Sequence, residues 1–366
     1  MRYTLIEDQT TLQGWLAAID TDQLLAVDTE FFRETTYFPK LGLVQLASGG
    51  DIALVDPLAF DASAPLAEVL LSPDIRKLFH SCSQDLEVLH HHLGGLPCPL
   101  YDTQVAAALV IERDQISYAD IVARNCGVEL AKSQTRTNWL KRPLSREQLK
   151  YAAEDVHYLV DVHEILMDEL DTVGRMTWFE EDCARICAAQ NAFEPDIDRC
   201  WSRVKGTHRM QPEQLAIVDA MARWREHAAI RLDVTRRKVI SDDAIIAAAL
   251  DTPRDTRSLT STGKWHRSLR QEELRSLLVA IDEALSAPEH TWPRHSRYLQ
   301  TPEQKDLIKR MMQLIENCAS ELGIAQSVLA SRKELESMIE GNRELNILYG
   351  WRREIIGDQV LALLER

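Results

Sequence analysis

Short β-like apolar runs alternate with amphipathic helical stretches over the first half of the chain, and helical periodicity takes over in the second. The runs at 24–28, 43–46, 52–55 and 77–80 have strand length and are bounded by turn-forming residues. Helical spacing is read at 11–19, 83–91, 103–109 and 146–170. Interleaving of this kind predicts an α/β domain with a mixed sheet over residues 1–170. From about 171 onward the pattern predicts helices only. A Pro-bearing joint at 193–196 and a Pro/His/Trp-rich stretch at 287–297 divide that half into a helical linker (171–209) and two all-α modules (210–286 and 298–366).

One helix can be drawn in detail. Ser145-Arg146-Glu147-Gln148 is a capping box, with Ser145 at the N-cap and Gln148 at N3. Behind it Leu149, Ala152, Ala153, Val156, Leu159 and Val160 form the core-facing stripe. Tyr151 and Asp155 lie four apart, one turn from each other on one face, so a phenol and a carboxylate can reach the same point. Alone, the pair equally describes a solvated face of an ordinary helix.

Two further acidic segments change that balance. Asp28-Thr29-Glu30 interrupts a run that otherwise reads as a buried strand, and residues i and i+2 of a strand share a face. Two carboxylates side by side repel, so a metal, a lysine or an arginine is expected between them, unless the strand simply ends in solvent there. Asp85 sits where a strand gives way to a helix near Ser83. It can favour the helix dipole from the first turn, or it can join a site of the kind that gathers where strands end and helices begin in α/β sheets.

In chain order, Asp28-Thr29-Glu30, then Asp85 within HSCSQDLEVL, then Tyr151 and Asp155 as Y-x-x-x-D resemble the three motifs of the DEDD exonuclease superfamily, tyrosine-bearing branch. The wider context is similar to the bacterial ribonuclease D family, through YFPKLGLVQLA (37–47), YDTQVAAAL (101–109) and KSQTRTNWLKRP (132–143). That resemblance implies an RNase H-like exonuclease fold followed by two HRDC helical bundles. The first bundle is carried by Leu215–Val218, Ala222–Glu226 and Val239–Ala244, and the second by Leu322–Ile324 and Val328–Leu335. It implies 3′-to-5′ hydrolysis of RNA to 5′-mononucleotides, precursor tRNA 3′ trailers as substrate, and two divalent ions, Mg2+ or Mn2+. By the same resemblance Asp28, Glu30 and Asp155 hold one ion, Asp28 bridges to a second supported by Asp85, and Tyr151 orients the attacking water. A DNA-directed exonuclease of the same superfamily uses the same five residues, and a non-catalytic HRDC-type scaffold is the other alternative.

Composition enters last. The 42 basic and 57 acidic residues leave a formal charge of −15, which argues against a nucleic-acid partner until local patches are considered. Lys132, Arg136, Lys141 and Arg142 form one candidate nucleic-acid contact, and Arg223, Arg225, Arg236, Arg237 and Lys238 form another. Seven cysteines without a CxxC pair suit a reducing compartment better than a disulfide framework or a zinc site. His90-His91-His92 reads as the wet end of a helix before Gly94-Gly95. No leader or membrane span is expected, no GxxxxGK[ST] loop calls for a nucleotide cofactor, and a cytoplasmic monomer is predicted.

Overall fold

The alternation in the first hundred residues becomes one six-stranded sheet: β1 (Thr4–Ile6), β2 (Leu25–Phe32), β3 (Lys40–Ser48), β4 (Asp51–Val55), β5 (Lys77–Phe79) and β6 (Leu100–Asp102). The strand order is β1-β4-β3-β2-β5-β6. β3 and β4 pair antiparallel, whereas β1–β4, β2–β5 and β5–β6 are parallel, so the sheet is mixed, as its sequence predicts. The structure, a computed structural model, describes residues 1–131, 137–189, 192–295 and 300–364. β1 and β6 are absent from the sequence reading; β1 is placed by pairing with β4, and β6 by pairing with β5.

The chain divides into two units. One comprises Met1–Phe32, Leu41–Ala192 and Tyr298–Arg366, the other Arg33–Lys40 and Phe193–Arg297. In the first, the sheet carries α1 (Gln9–Leu16), α2 (Ser63–Leu70), α3 (Ser83–Leu93), α4 (Thr103–Ala108), α5 (Tyr118–Cys126), α6 (Arg146–His157), α7 (Leu159–Thr172) and α8 (Met176–Ala188). The predicted stripe of α6 is buried as expected: Ala152, Ala153 and Val156, with Leu159 beyond, pack on Ala26, Leu43, Leu54 and Leu78 of the sheet. The capping box at Ser145 and Gln148 is present in both directions. Residues 146–170, read from sequence as one helix, are two, broken at Tyr158.

One residue of the basic patch ahead of α6 is built into the fold. Arg142 sends Nε and Nη2 to the Asp56 carboxylate at 2.5 and 2.7 Å, Nη2 to the Gly42 carbonyl at 2.7 Å and Nη1 to the Trp139 carbonyl at 2.8 Å. Its donors are engaged within the fold, so Arg142 clamps this loop to Asp56 and Gly42. A Cβ at Gly42 would meet the Trp139 carbonyl at 2.8 Å, so only glycine admits this loop. Trp139 is 1% exposed and joins the core under the sheet.

Residues 298–366 pack into the same unit as the N-terminal domain. They form α14 (Pro302–Leu322), α15 (Gln326–Leu329), α16 (Arg332–Ile339), α17 (Gly350–Arg352) and α18 (Asp358–Leu364). Met311, Ile315 and Leu335 share one core with Leu166, Leu170 and Phe179. Trp351 stacks on Trp178 with ring centroids 4.3 Å apart and planes 4° off parallel, and Arg352 grips the Asp182 carboxylate at 2.5 and 2.9 Å. Arg175 bridges the carbonyls of Leu109 and Leu322 at 2.5 and 2.6 Å. Cys98 and Cys187 form a disulfide across 89 residues of chain, against the expectation of reduced cysteines. Only the fold brings the approach to β6 beside the end of α8, so no spacing rule could have found the pair.

The second unit contains α9 (Pro212–Leu232), α10 (Arg236–Val239), α11 (Asp242–Asp251), α12 (Thr256–Ser261) and α13 (Gln271–Ser286). Val218, Met221, Ile245, Leu277 and Ile281 lie in its core. Segment 33–40, which follows the Asp-Thr-Glu strand, belongs here: the Tyr37 hydroxyl donates to Glu226, and its backbone N–H donates to Asp233 at 3.1 Å. Arg236 also pairs with Glu226, which is 1% exposed, and lies 4.9 Å from the Tyr37 ring centroid. Arg225 is 3% exposed and pairs with Asp242 at 2.7 Å. These two arginines satisfy internal carboxylates.

Trp351→Ala removes a buried ring from the core shared by the N- and C-terminal segments. It should cost the first unit about 3–5 kcal/mol in urea unfolding and leave the transition of the second unit unmoved.

Candidate active site

Three elements bring the acids together. Asp28 and Glu30 come from β2, Asp85 from the first turn of α3, and Tyr151 and Asp155 from α6. All five line one cavity of about 350 Å³. The Tyr151 hydroxyl donates to the Asp155 carboxylate, the meeting that their four-residue spacing predicts.

Asp85 is fixed from two sides. Its Oδ1 accepts the Thr29 backbone N–H at 3.1 Å and the Thr29 hydroxyl at 2.5 Å, so the residue between the two β2 acids holds the third. The start of α3 is held by Asp102. Its Oδ1 accepts the Ser81 N–H at 2.8 Å and its Oδ2 the Cys82 N–H at 2.9 Å. Ser81 has φ of +61°, a left-handed conformation unfavourable for a residue with a Cβ, and the Asp102 carboxylate is what stabilises it. Asp102 also caps α4 through the Gln104 N–H at 2.8 Å.

The electrostatics are those of crowded like charges in a poorly solvated place. Burial first, then the charges of Asp85, Asp155 and Glu30, pushes Asp28 well above the usual carboxylate range. Burial, then Asp155 and Asp85, raises Glu30 to about 9. Burial raises Asp85 to about 7 against the hydrogen bonds from Thr29, and raises Asp155 to about 8 with help from Glu154. His80, which also lines the cavity, has both nitrogens engaged: Nε2 donates to the Ile116 carbonyl at 2.9 Å and Nδ1 meets the Thr103 hydroxyl at 2.9 Å. Burial lowers its pKa, so the ring is neutral and structural.

Whether these residues suit a divalent ion is decided by donor chemistry. Among the described residues no three His, Cys, Asp or Glu side chains form a finished metal cage. The four acids nonetheless present only oxygen, on three elements, around one cavity, and their mutual repulsion is what a hard cation relieves. The residues fit such an ion.

The candidate contacts outside the cavity are more scattered. Lys132 and Arg136 lie outside the described residues. Lys141, Arg237 and Lys238 are exposed. Arg223 pairs with Asp198 and Asp219 at 2.7 and 2.9 Å. Thr29, Asp102 and Tyr118 were not singled out by sequence reasoning. Thr29 could have been, since it stands between the two acids; the others are placed only by tertiary contact.

The sequence profile of a 3′-5′ exonuclease matches residues 3–171, and that of the HRDC domain matches 214–281. Ribonuclease D of Bartonella henselae is 34% identical, over 99% of this chain and 90% of its own length. Ribonuclease D of Pseudomonas paraeruginosa is 33% identical, over 98% of this chain and 97% of its own. The chain belongs to the ribonuclease D family of 3′-5′ exoribonucleases. The crystal structure of Escherichia coli RNase D, described as an exoribonuclease involved in structured RNA processing, superposes with a TM-score of 0.87 at 30% identity, covering 100% of this chain and 99% of that one. Membership implies a dependence on divalent metal, in agreement with the donor set. Among the described residues no helix is long and apolar enough to cross a membrane.

The raised carboxylates set a pH dependence. A carboxyl that is more basic in the folded than in the unfolded chain makes the folded state bind more protons, so its contribution to stability falls as pH rises from about 4 through the folded value. With Glu30 near 9, Asp155 near 8 and Asp85 near 7, the stability these acids lend the metal-free protein should fall up to about pH 9, and its melting temperature should fall with it between about pH 6.5, above which the buried histidines are neutral folded or unfolded, and about pH 8. Mn2+ needs the deprotonated acids, so the stabilisation it adds over chelator should be larger at pH 8.5 than at pH 6, read by differential scanning fluorimetry.

Proposed function

We propose that the chain removes nucleotides one at a time from RNA 3′ ends as 5′-mononucleotides, with precursor tRNA 3′ trailers as its natural substrate and two divalent ions, Mg2+ or Mn2+, as cofactors. One observation carries the reading: four carboxylates and a tyrosine from three elements surround one cavity, with proton affinities raised by burial and by each other.

Asp28, Glu30 and Asp155 would hold one ion, and Asp28 with Asp85 the other. When bound, such ions supply Lewis-acid stabilisation of the scissile phosphate and of the oxygens that attack and leave it. Thr29 holds Asp85 in place by donating both its backbone N–H and its hydroxyl to Oδ1, which leaves Oδ2 for a ligand. Tyr151 points its hydroxyl at Asp155 and so stands where it can orient the attacking water; an unperturbed phenol, with a pKa near ~10, is a poor base at neutral pH. His80 has no nitrogen left for proton transfer.

Outside the cavity, Lys132, Arg136 and Lys141 are proposed to follow the RNA backbone ahead of α6, and Arg223, Arg237 and Lys238 to contact it from the first HRDC module. The proposed division is 1–170 for the exonuclease domain, 171–209 for a linker, and 210–286 and 298–366 for the HRDC modules. Action as a monomer in the cytoplasm belongs to the same proposal.

Asp28→Asn and Asp155→Asn should each lower trimming of 5′-labelled single-stranded RNA by roughly a thousandfold with Mg2+ or Mn2+. The metal-free melting temperature should stay level or rise, because each change removes a group whose ionisation in the cavity is costly. Retained activity would sink the reading, and equal trimming of matched DNA would redirect it to DNA, since the discrimination rests on the 2′-OH.

A further inference from the structure

The break between α6 and α7 has a specific cause. In an unbroken helix the Tyr158 N–H reaches back four residues to the Glu154 carbonyl. Here the Tyr118 hydroxyl, from the start of α5, stands in that gap: it donates to the Glu154 carbonyl at 3.2 Å and accepts the Tyr158 N–H at 3.3 Å. The Tyr158 N–H also turns to the nearer Val156 carbonyl, and Tyr158 itself leaves helical geometry, with φ −98° and ψ 2°. A side chain spliced into the hydrogen-bond ladder is one of the few recognised causes of a sharp helix kink.

The splice lies one residue from Asp155 and one turn beyond Tyr151. The Tyr118 ring lines the cavity beside both of them and packs against His80, with centroids 5.6 Å apart. His80 is itself pinned to Thr103 and to the Ile116 carbonyl, so the ring has a rigid backing. Ser117 caps α5 through the Asp120 N–H at 3.2 Å and fixes where Tyr118 leaves the backbone. The wedge therefore has a fixed base, a fixed backing and a tip that holds the peptide preceding Asp155.

We infer that Tyr118 is a positioning residue for the reaction: its hydroxyl, inserted between the Glu154 carbonyl and the Tyr158 N–H, sets the end of α6 so that Asp155 and Tyr151 meet the acids of β2. The inference rests on the reading that Asp155 is a metal ligand. Without the hydroxyl the two backbone groups can pair directly, the helix straightens through Tyr158, and Asp155 rotates away from Asp28 and Glu30.

The test is Tyr118→Phe in the full chain, beside wild type and Asp155→Asn, assayed on 5′-labelled single-stranded RNA below the melting temperature. kcat should fall about tenfold or more, as a displacement of a catalytic group by a fraction of an ångström would produce. KM for RNA should stay within about twofold, and Mn2+ should bind more weakly by titration calorimetry. Unchanged kcat and Mn2+ affinity overturn the inference, with or without a lower melting temperature, because the hydroxyl would then be merely structural. A raised KM at unchanged kcat also overturns it, since Tyr118 would be touching RNA instead. If Asp155→Asn is inactive while Tyr118→Phe behaves as wild type, the wedge fails and the metal reading stands. If Asp155→Asn retains activity, the metal reading itself fails.

Discussion

Four carboxylates held within one cavity repel one another, and the architecture of the first unit is organised around enforcing that contact. Each acid is delivered by an element whose position is set from outside the cavity. β2 holds Asp28 and Glu30 at strand spacing between two hydrogen-bonded neighbours. The Asp102 carboxylate fixes the strained turn at Ser81 and with it the first turn of α3. α6 is capped at Ser145, anchored through the Arg142 loop to Asp56, and interrupted at Tyr158. Burial makes the repulsion worse, and the same desolvation that raises Glu30 and Asp155 also strengthens their attraction for any cation the site takes up.

Arginine has a consistent role here that its count alone misrepresents. Arg142, Arg175, Arg225, Arg236 and Arg352 each satisfy internal carbonyls or carboxylates, and Arg142, Arg175 and Arg352 thereby join segments far apart in the chain. The planar, always-charged guanidinium suits such bridging, because it can serve several acceptors at once. In a chain with 57 acidic residues, basic side chains are in demand as structural partners. A run of arginines is then weaker grounds for a nucleic-acid surface than the same run in a basic protein.

Much of the site was legible because its chemistry obeys local geometry. Asp28 and Glu30 share a strand face, and Tyr151 and Asp155 share a helix face; both facts follow from periods of 2 and 3.6. The α6 stripe and its capping box were equally plain. What stayed hidden depended on partners distant in sequence. Ser81 needs Asp102, Cys98 needs Cys187, and the break at Tyr158 needs a hydroxyl from 40 residues upstream. The apolar spacing runs unbroken through 146–170, so nothing local announces that interruption.

The sequence by itself determined the element types of the first domain, the all-α character of the rest, and the five residues of the candidate site with their order, since these are written in short-range periodicity and in motifs. Tertiary structure alone decided which basic residues are internal, that 298–366 shares a core with the exonuclease domain, that 33–40 belongs to the other unit, and how α6 ends. The physical reason is one of range. Periodicity reports which face of an element is buried, whereas charge partners, shared cores and inserted side chains are settled by whatever the fold brings against that face.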